Sequence, residues 1–161
     1  MKRNFILIAL LVYSLFCLHA EDFIEVNNKK ISLNHSIEQI QKEFGEQKEL
    51  SFIPLENNSD WDTLCYKYDS FTVYSYRITK MPFKIEAFNK EFKISVDGCV
   101  IQNGSPKQEV ESKLEKLEYI GKDKVSQEYY LYYLPDNIEA GFVFDINHKL
   151  ISSYISYVPM D

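Results

Sequence analysis

Glycine is scarce, with five in 161 residues, and none sits in a phosphate-cradling loop of the kind that nucleotide-binding folds require. Histidine is scarcer still at three. Only His35 and His148 lie beyond the first twenty residues, both at turn or cap positions, and no G-x-S-x-G, H-E-x-x-H or paired C-x-x-C pattern accompanies them. That argues against a hydrolytic triad and a zinc site, which need converging ligands or bases. The carboxylates around the single tryptophan, Asp60 and Asp62, lack the regular oxygen series of a calcium loop, so neither metal nor cofactor is expected. Cationic side chains are outnumbered, 18 Lys and Arg against 24 Asp and Glu. Such a surface repels phosphate backbones and makes nucleic acid an unsuitable partner.

What is present begins with a three-part leader: Lys2 and Arg3, an apolar run from Phe5 to Leu18, then Ala20 before Glu21-Asp22. This is the pattern of a secretory signal over residues 1–20, and the apolar run is shorter than the roughly 20 residues that span a bilayer. The expected location is therefore periplasmic or extracellular. The alternative is a membrane-anchored lipoprotein held through Cys17, although bulky Phe16 stands where such a signal wants a small residue. Removing Lys2 and Arg3 from the 18 basic residues leaves 16 against 24 acids, a net charge of −8. Two cysteines remain, Cys65 and Cys99; an oxidising compartment permits them to pair, and two free thiols are the other reading.

The chain repeats itself. Phe23 to Phe44 and Phe92 to Leu117 each read as a hairpin feeding a helix, and at an offset of 70 residues Val26 falls on Val96, Asn27-Asn28 on Asp97-Gly98, Ile31 on Ile101, Ile40 on Val110 and Phe44 on Leu114. Asn-Asn and Asp-Gly suit the positive φ angles of two-residue hairpin turns. Ser36 with Gln39 fits a capping box and Gly45 a helix stop; Ser105 before Pro106, with Gln108, reads as a second capped start. Residues 46–62 read mostly as loop, with an extended piece at Leu50 to Ile53. Leu64 to Arg77 reads as two strands turning at Asp69-Ser70, and Phe83 to Phe88 as a third. After Gly121 a polar segment leads to three strands, Tyr129 to Leu134, Ile138 to Ile146 and Lys149 to Val158. The expected fold is α+β: two tandem copies of a hairpin, helix and antiparallel-strand unit, residues 21–90 and 91–161, with the helices packed on one face of antiparallel sheet.

Placing Leu64, Phe71, Val73, Leu131, Phe142, Phe144, Ile151 and Ile155 toward the helices sends Tyr74, Tyr76, Tyr130, Tyr132 and Tyr154 to the other face by period-2 alternation. Tyrosine carries a large apolar area, a polar tip and few rotatable bonds, which suits a protein-binding surface. Trp61, at the end of the long loop, is the sixth candidate contact.

On its paired hairpins and capped helices the chain resembles exported bacterial proteins built from repeated helix-plus-antiparallel-sheet modules, such as β-lactamase-inhibitor proteins and small outer-membrane-assembly lipoproteins. The resemblance implies a fold and a non-catalytic role. The expected function is an exported, non-enzymatic module that binds another protein, as inhibitor, immunity-type or envelope-assembly factor, through the aromatic sheet face. The alternative is a small-ligand binder or hydrolase with its site in the groove between the two copies.

Overall fold

Both expected hairpin turns form with positive φ at their two central residues, 53° and 61° at Asn27 and Asn28, 49° and 75° at Asp97 and Gly98. That matches the right-handed twist of the strands they join. The computed structural model describes residues 21–54, 62–88 and 91–158; the expected signal over residues 1–20 with Cys17, and Trp61, lie outside them. The first half runs β1 (Phe23–Val26), β2 (Lys29–Ile31), α1 (Ile37–Phe44), β3 (Glu49–Ile53), β4 (Thr63–Lys67), β5 (Phe71–Tyr76) and β6 (Pro82–Phe88). The second runs β7 (Phe92–Val96), β8 (Cys99–Gln102), α2 (Lys107–Lys113), β9 (Glu118–Lys122), β10 (Glu128–Leu134), β11 (Ile138–Phe144) and β12 (Leu150–Tyr157).

The strands form two antiparallel sheets. The small one has the order β2-β1-β7-β8 and the large one β3-β4-β5-β6-β12-β11-β10-β9. The hairpins join through β1 and β7, where Ile24 faces Ile94; the large sheet joins its halves through β6 and β12, where Ile85 faces Ile155. The small sheet and the helices cover one face of the large sheet. Ile24, Ile94 and Phe92 from the former, and Ile85, Ile155, Phe142 and Phe144 from the latter, are all buried in one cluster. Burying side chains of this size stabilises a fold by about 1.5–3 kcal/mol each. With two short helices and twelve strands among the described residues, the fold is α+β with strand predominating.

Helix α1 forms as the sequence dictates. Ser36 and Gln39 exchange side-chain-to-backbone hydrogen bonds as a capping box, and Gly45, at φ 83°, ends the helix with its amide donating to the Gln41 carbonyl. Ile37 and Ile40 are buried, and the Phe44 ring meets Phe71 edge-on at 4.9 Å. Helix α2 corrects the expected cap: its N-cap is Pro106, without a side-chain hydrogen bond. Ser105 is occupied elsewhere, because the Leu150 amide donates to its carbonyl at 3.0 Å while the Gly104 amide donates to the Leu150 carbonyl at 2.8 Å. These residues pair with the start of β12 before the helix begins.

Other details differ from expectation. Residues 118–122, given no element in the sequence reading, form edge strand β9, held by pairing with β10 although its side chains are largely exposed. Of the two readings of Cys65 and Cys99, the structure has both thiols free, with Cys65 on the large sheet's far face in register with Tyr74 and Cys99 packed against the core. The facing of β10 is inverted. Tyr130, Tyr132 and Leu134 turn toward the core, and Leu131 turns away from it. On β12, a register shift between Val143 and Phe144 buries Leu150 in place of Ile151.

Candidate functional site

The large sheet's second face is turned away from the small sheet and the helices. One row in register crosses six strands, through Cys65, Tyr74, Lys84, Ser156, Glu139 and Tyr133. The neighbouring row crosses all eight: Glu49, Lys67, Thr72, Glu86, Tyr154, Gly141, Leu131 and Glu118. Opposite residues of antiparallel pairs project to the same side, so these rows are one surface of aromatic rings among carboxylates and a few lysines.

The rings are held. Tyr154 lies over Gly141, where a Cβ would stand 2.0 Å from its Cε1, and its hydroxyl donates to Glu139 at 3.0 Å. Tyr74 donates to Glu86 at 3.2 Å. Tyr129, one row further, donates to Asp123 at 3.0 Å. The Lys84 ammonium sits 4.2 Å from the Tyr154 ring centroid and 5.4 Å from that of Tyr74, with Glu86 at 3.6 Å. Burial, reinforced by Glu86, pushes the Tyr74 hydroxyl up to about 12; burial followed by Glu139 raises Tyr154 further. Both stay neutral donors at physiological pH. Burial likewise raises the Cys65 thiol, which removes the thiolate that reactivity needs.

Of the sequence candidates, Tyr74, Tyr76 and Tyr154 are on this face. Tyr130 is in the core, and Tyr132 packs against the core with its hydroxyl donating to Asp97 at 3.2 Å; both are corrections of their expected facing. The cause is the run Tyr129 to Leu134, in which every residue is aromatic or leucine, so alternation carries no parity. Sequence reasoning missed Tyr129 and Tyr133, the latter 55% exposed, along with Lys84, Glu86 and Glu139. A register shift between Tyr74 and Ser75 brings the Phe83 ring onto Tyr76, stacked at 4.6 Å.

The titratable groups elsewhere are built differently. A hollow of about 370 Å³ beside β2 is lined by Glu21, Ser32, His35 and Glu43 among others. Its histidine is not set up as a base for the serine: the Ser32 hydroxyl donates to Glu21 at 2.6 Å, and His35 Nδ1 accepts from the Ser32 amide at 3.3 Å. The hollow belongs to the first half, not to a groove between halves. His148 Nδ1 lies 3.6 Å from Glu128, but Glu128 already accepts from Lys107 at 3.0 Å, and the Lys107 ammonium also donates to the Tyr130 hydroxyl at 3.1 Å. That cluster ties α2 to β10. Among the described residues, no group of three or more His, Cys, Asp or Glu is placed to hold a metal ion, and no helix is long and apolar enough to cross a membrane.

No family model matches the chain, and no curated protein matches it. Among solved structures it is similar to a cysteine-rich secretory protein from Staphylococcus aureus, at 15% sequence identity and a TM-score of 0.49, over 75% of this chain and 43% of that one. The chain thus spans less than half the length of that protein, and the likeness carries no functional assignment.

Proposed function

We propose that the protein is an exported, non-enzymatic module that binds another protein through the outer face of its eight-stranded sheet. The observation that carries this reading is the pair of registered rows in which tyrosine rings are fixed over the sheet by Glu86, Glu139 and Gly141. Rigid aromatic side chains lose little entropy on binding, so a face already ordered in the free protein presents contact area at low cost. The leader at residues 1–20 supports export.

The finer architecture belongs to the same proposal: a tandem duplication, residues 21–90 and 91–161, akin to the exported repeat proteins the sequence resembles. Its support is arithmetic. Ile24 faces Ile94 and Ile85 faces Ile155, and each pair is separated by the 70-residue offset of the sequence repeat. A two-fold relation between copies would bring equivalent residues face to face at these central pairs, leaving one continuous sheet face across both halves.

The test is capture of the partner from the compartment the protein occupies, followed by titration of the purified pair. Changing Tyr74 and Tyr133 together to Ser should weaken association at least tenfold, whereas Val100→Ser, on the small sheet, should leave it within twofold. Association unchanged by the tyrosine substitutions removes the proposal.

A further inference from the structure

We infer that the outer face takes up a cationic side chain at Glu139, between Tyr133 and Tyr154, and therefore selects a partner that presents lysine or arginine. This deepens the proposed function and rests on it. Half of the face already shows the chemistry with an occupant from the chain itself: Lys84 lies against the rings of Tyr154 and Tyr74 and beside the Glu86 carboxylate. The other half sets a second carboxylate beside a second ring, Glu139 beside Tyr133, without a cation of their own. Glu139 is directly opposite Tyr133 on β10 and accepts the Tyr154 hydroxyl, yet no lysine, arginine or histidine nitrogen lies within 4.0 Å of it among the described residues.

The placement makes the site usable. Lys84 and Glu139 are two strands apart in one row, separated by Ser156, and the Lys84 ammonium pairs with Glu86 at 3.6 Å rather than with Glu139. Tyr133 is 55% exposed, leaving its ring open to a ligand, while the partly buried Tyr154 hydroxyl fixes the carboxylate. A carboxylate beside an exposed ring attracts an ammonium or guanidinium by ion pairing and by cation–π contact at once. The charge of the whole molecule points the same way, since the net −6 of the chain speeds encounter with basic surfaces and opposes acidic ones.

The probe is an eight-residue peptide alternating glycine and lysine, titrated into the isotope-labelled protein while the tyrosine ring resonances are followed by NMR. A matched peptide with norleucine in place of lysine is the neutral control. The expected result is saturable movement of the Tyr133 and Tyr154 rings with the lysine peptide, a loss of affinity of tenfold or more in Glu139→Gln, and less than twofold change in Glu111→Gln, which removes an exposed carboxylate of α2 instead. Equal loss in both variants would mean diffuse attraction to an acidic surface and overturns the inference. Equal response to the norleucine peptide overturns it too, while leaving the face a binding surface for apolar groups. No movement of the face rings with either peptide overturns the inference and counts against the proposed function as well.

Discussion

Gly141 sets the height at which Tyr154 lies over the sheet. Its lack of a side chain is used for close approach, since a Cβ there would stand 2.0 Å from the ring. Gly141→Ala must lift or turn the ring, at a cost of about 1–3 kcal/mol, the range for overpacking. Urea denaturation should record that loss, and combining it with Tyr154→Ala should recover part of it, because the two residues are in contact and their effects are coupled. Equal losses in the two backgrounds would mean the ring is not seated on the glycine. The same residues explain what sequence could and could not give. Tyr74 and Tyr76 alternate with Phe71 and Val73, so their parity was legible. Tyr130 and Tyr132 sit in a run without a polar residue to set the phase, and Phe83 meets Tyr76 only through a register shift that the sequence does not announce.

Helix α2 depends on a contact between elements more than on its own cap. Lys107, its first residue, donates to Glu128 and Tyr130 on β10. The Lys107 hydrogen bond holds the Glu128 carboxyl below its ordinary 4.5. A carboxyl whose folded pKa is depressed contributes stability that is complete above its unfolded value and is lost as pH falls through the folded one. Denaturation followed as a function of pH should therefore show an acid limb beginning near 4.5, and Glu128→Gln should flatten it; an unaltered limb would show that the pair does not contribute. The Lys107 ammonium is held above its ordinary value by Tyr130 and then Glu128, so its share is present across neutral pH and is lost only in strong alkali. Sequence legibility at this scale followed local chemistry. The capping box of α1 and both hairpin turns were readable because they are decided within four residues. Ser105 failed as a cap because a distant strand, β12, claims its backbone, and β9 was missed because an exposed edge strand shows no burial pattern.

Across the whole molecule, the two halves join through Ile24 with Ile94 in the small sheet and Ile85 with Ile155 in the large one, the pairs on which the proposed duplication rests. Composition and turns could indicate α+β, but not that two hairpins would fuse into a separate small sheet, since that pairing joins β1 to β7 across the length of the first half. The proposed function rests on a sheet buried on one side and open on the other, with its tyrosines already anchored in the free chain. Site-specific photo-crosslinking in cells that make the protein tests this most directly, with the crosslinker placed in turn at Tyr133 on the open face and at Val100 on the small sheet. One discrete adduct to a basic protein from position 133, and none from position 100, is the predicted result. An adduct from position 100 alone, or no adduct from position 133, would contradict the assignment of the open face as the binding surface.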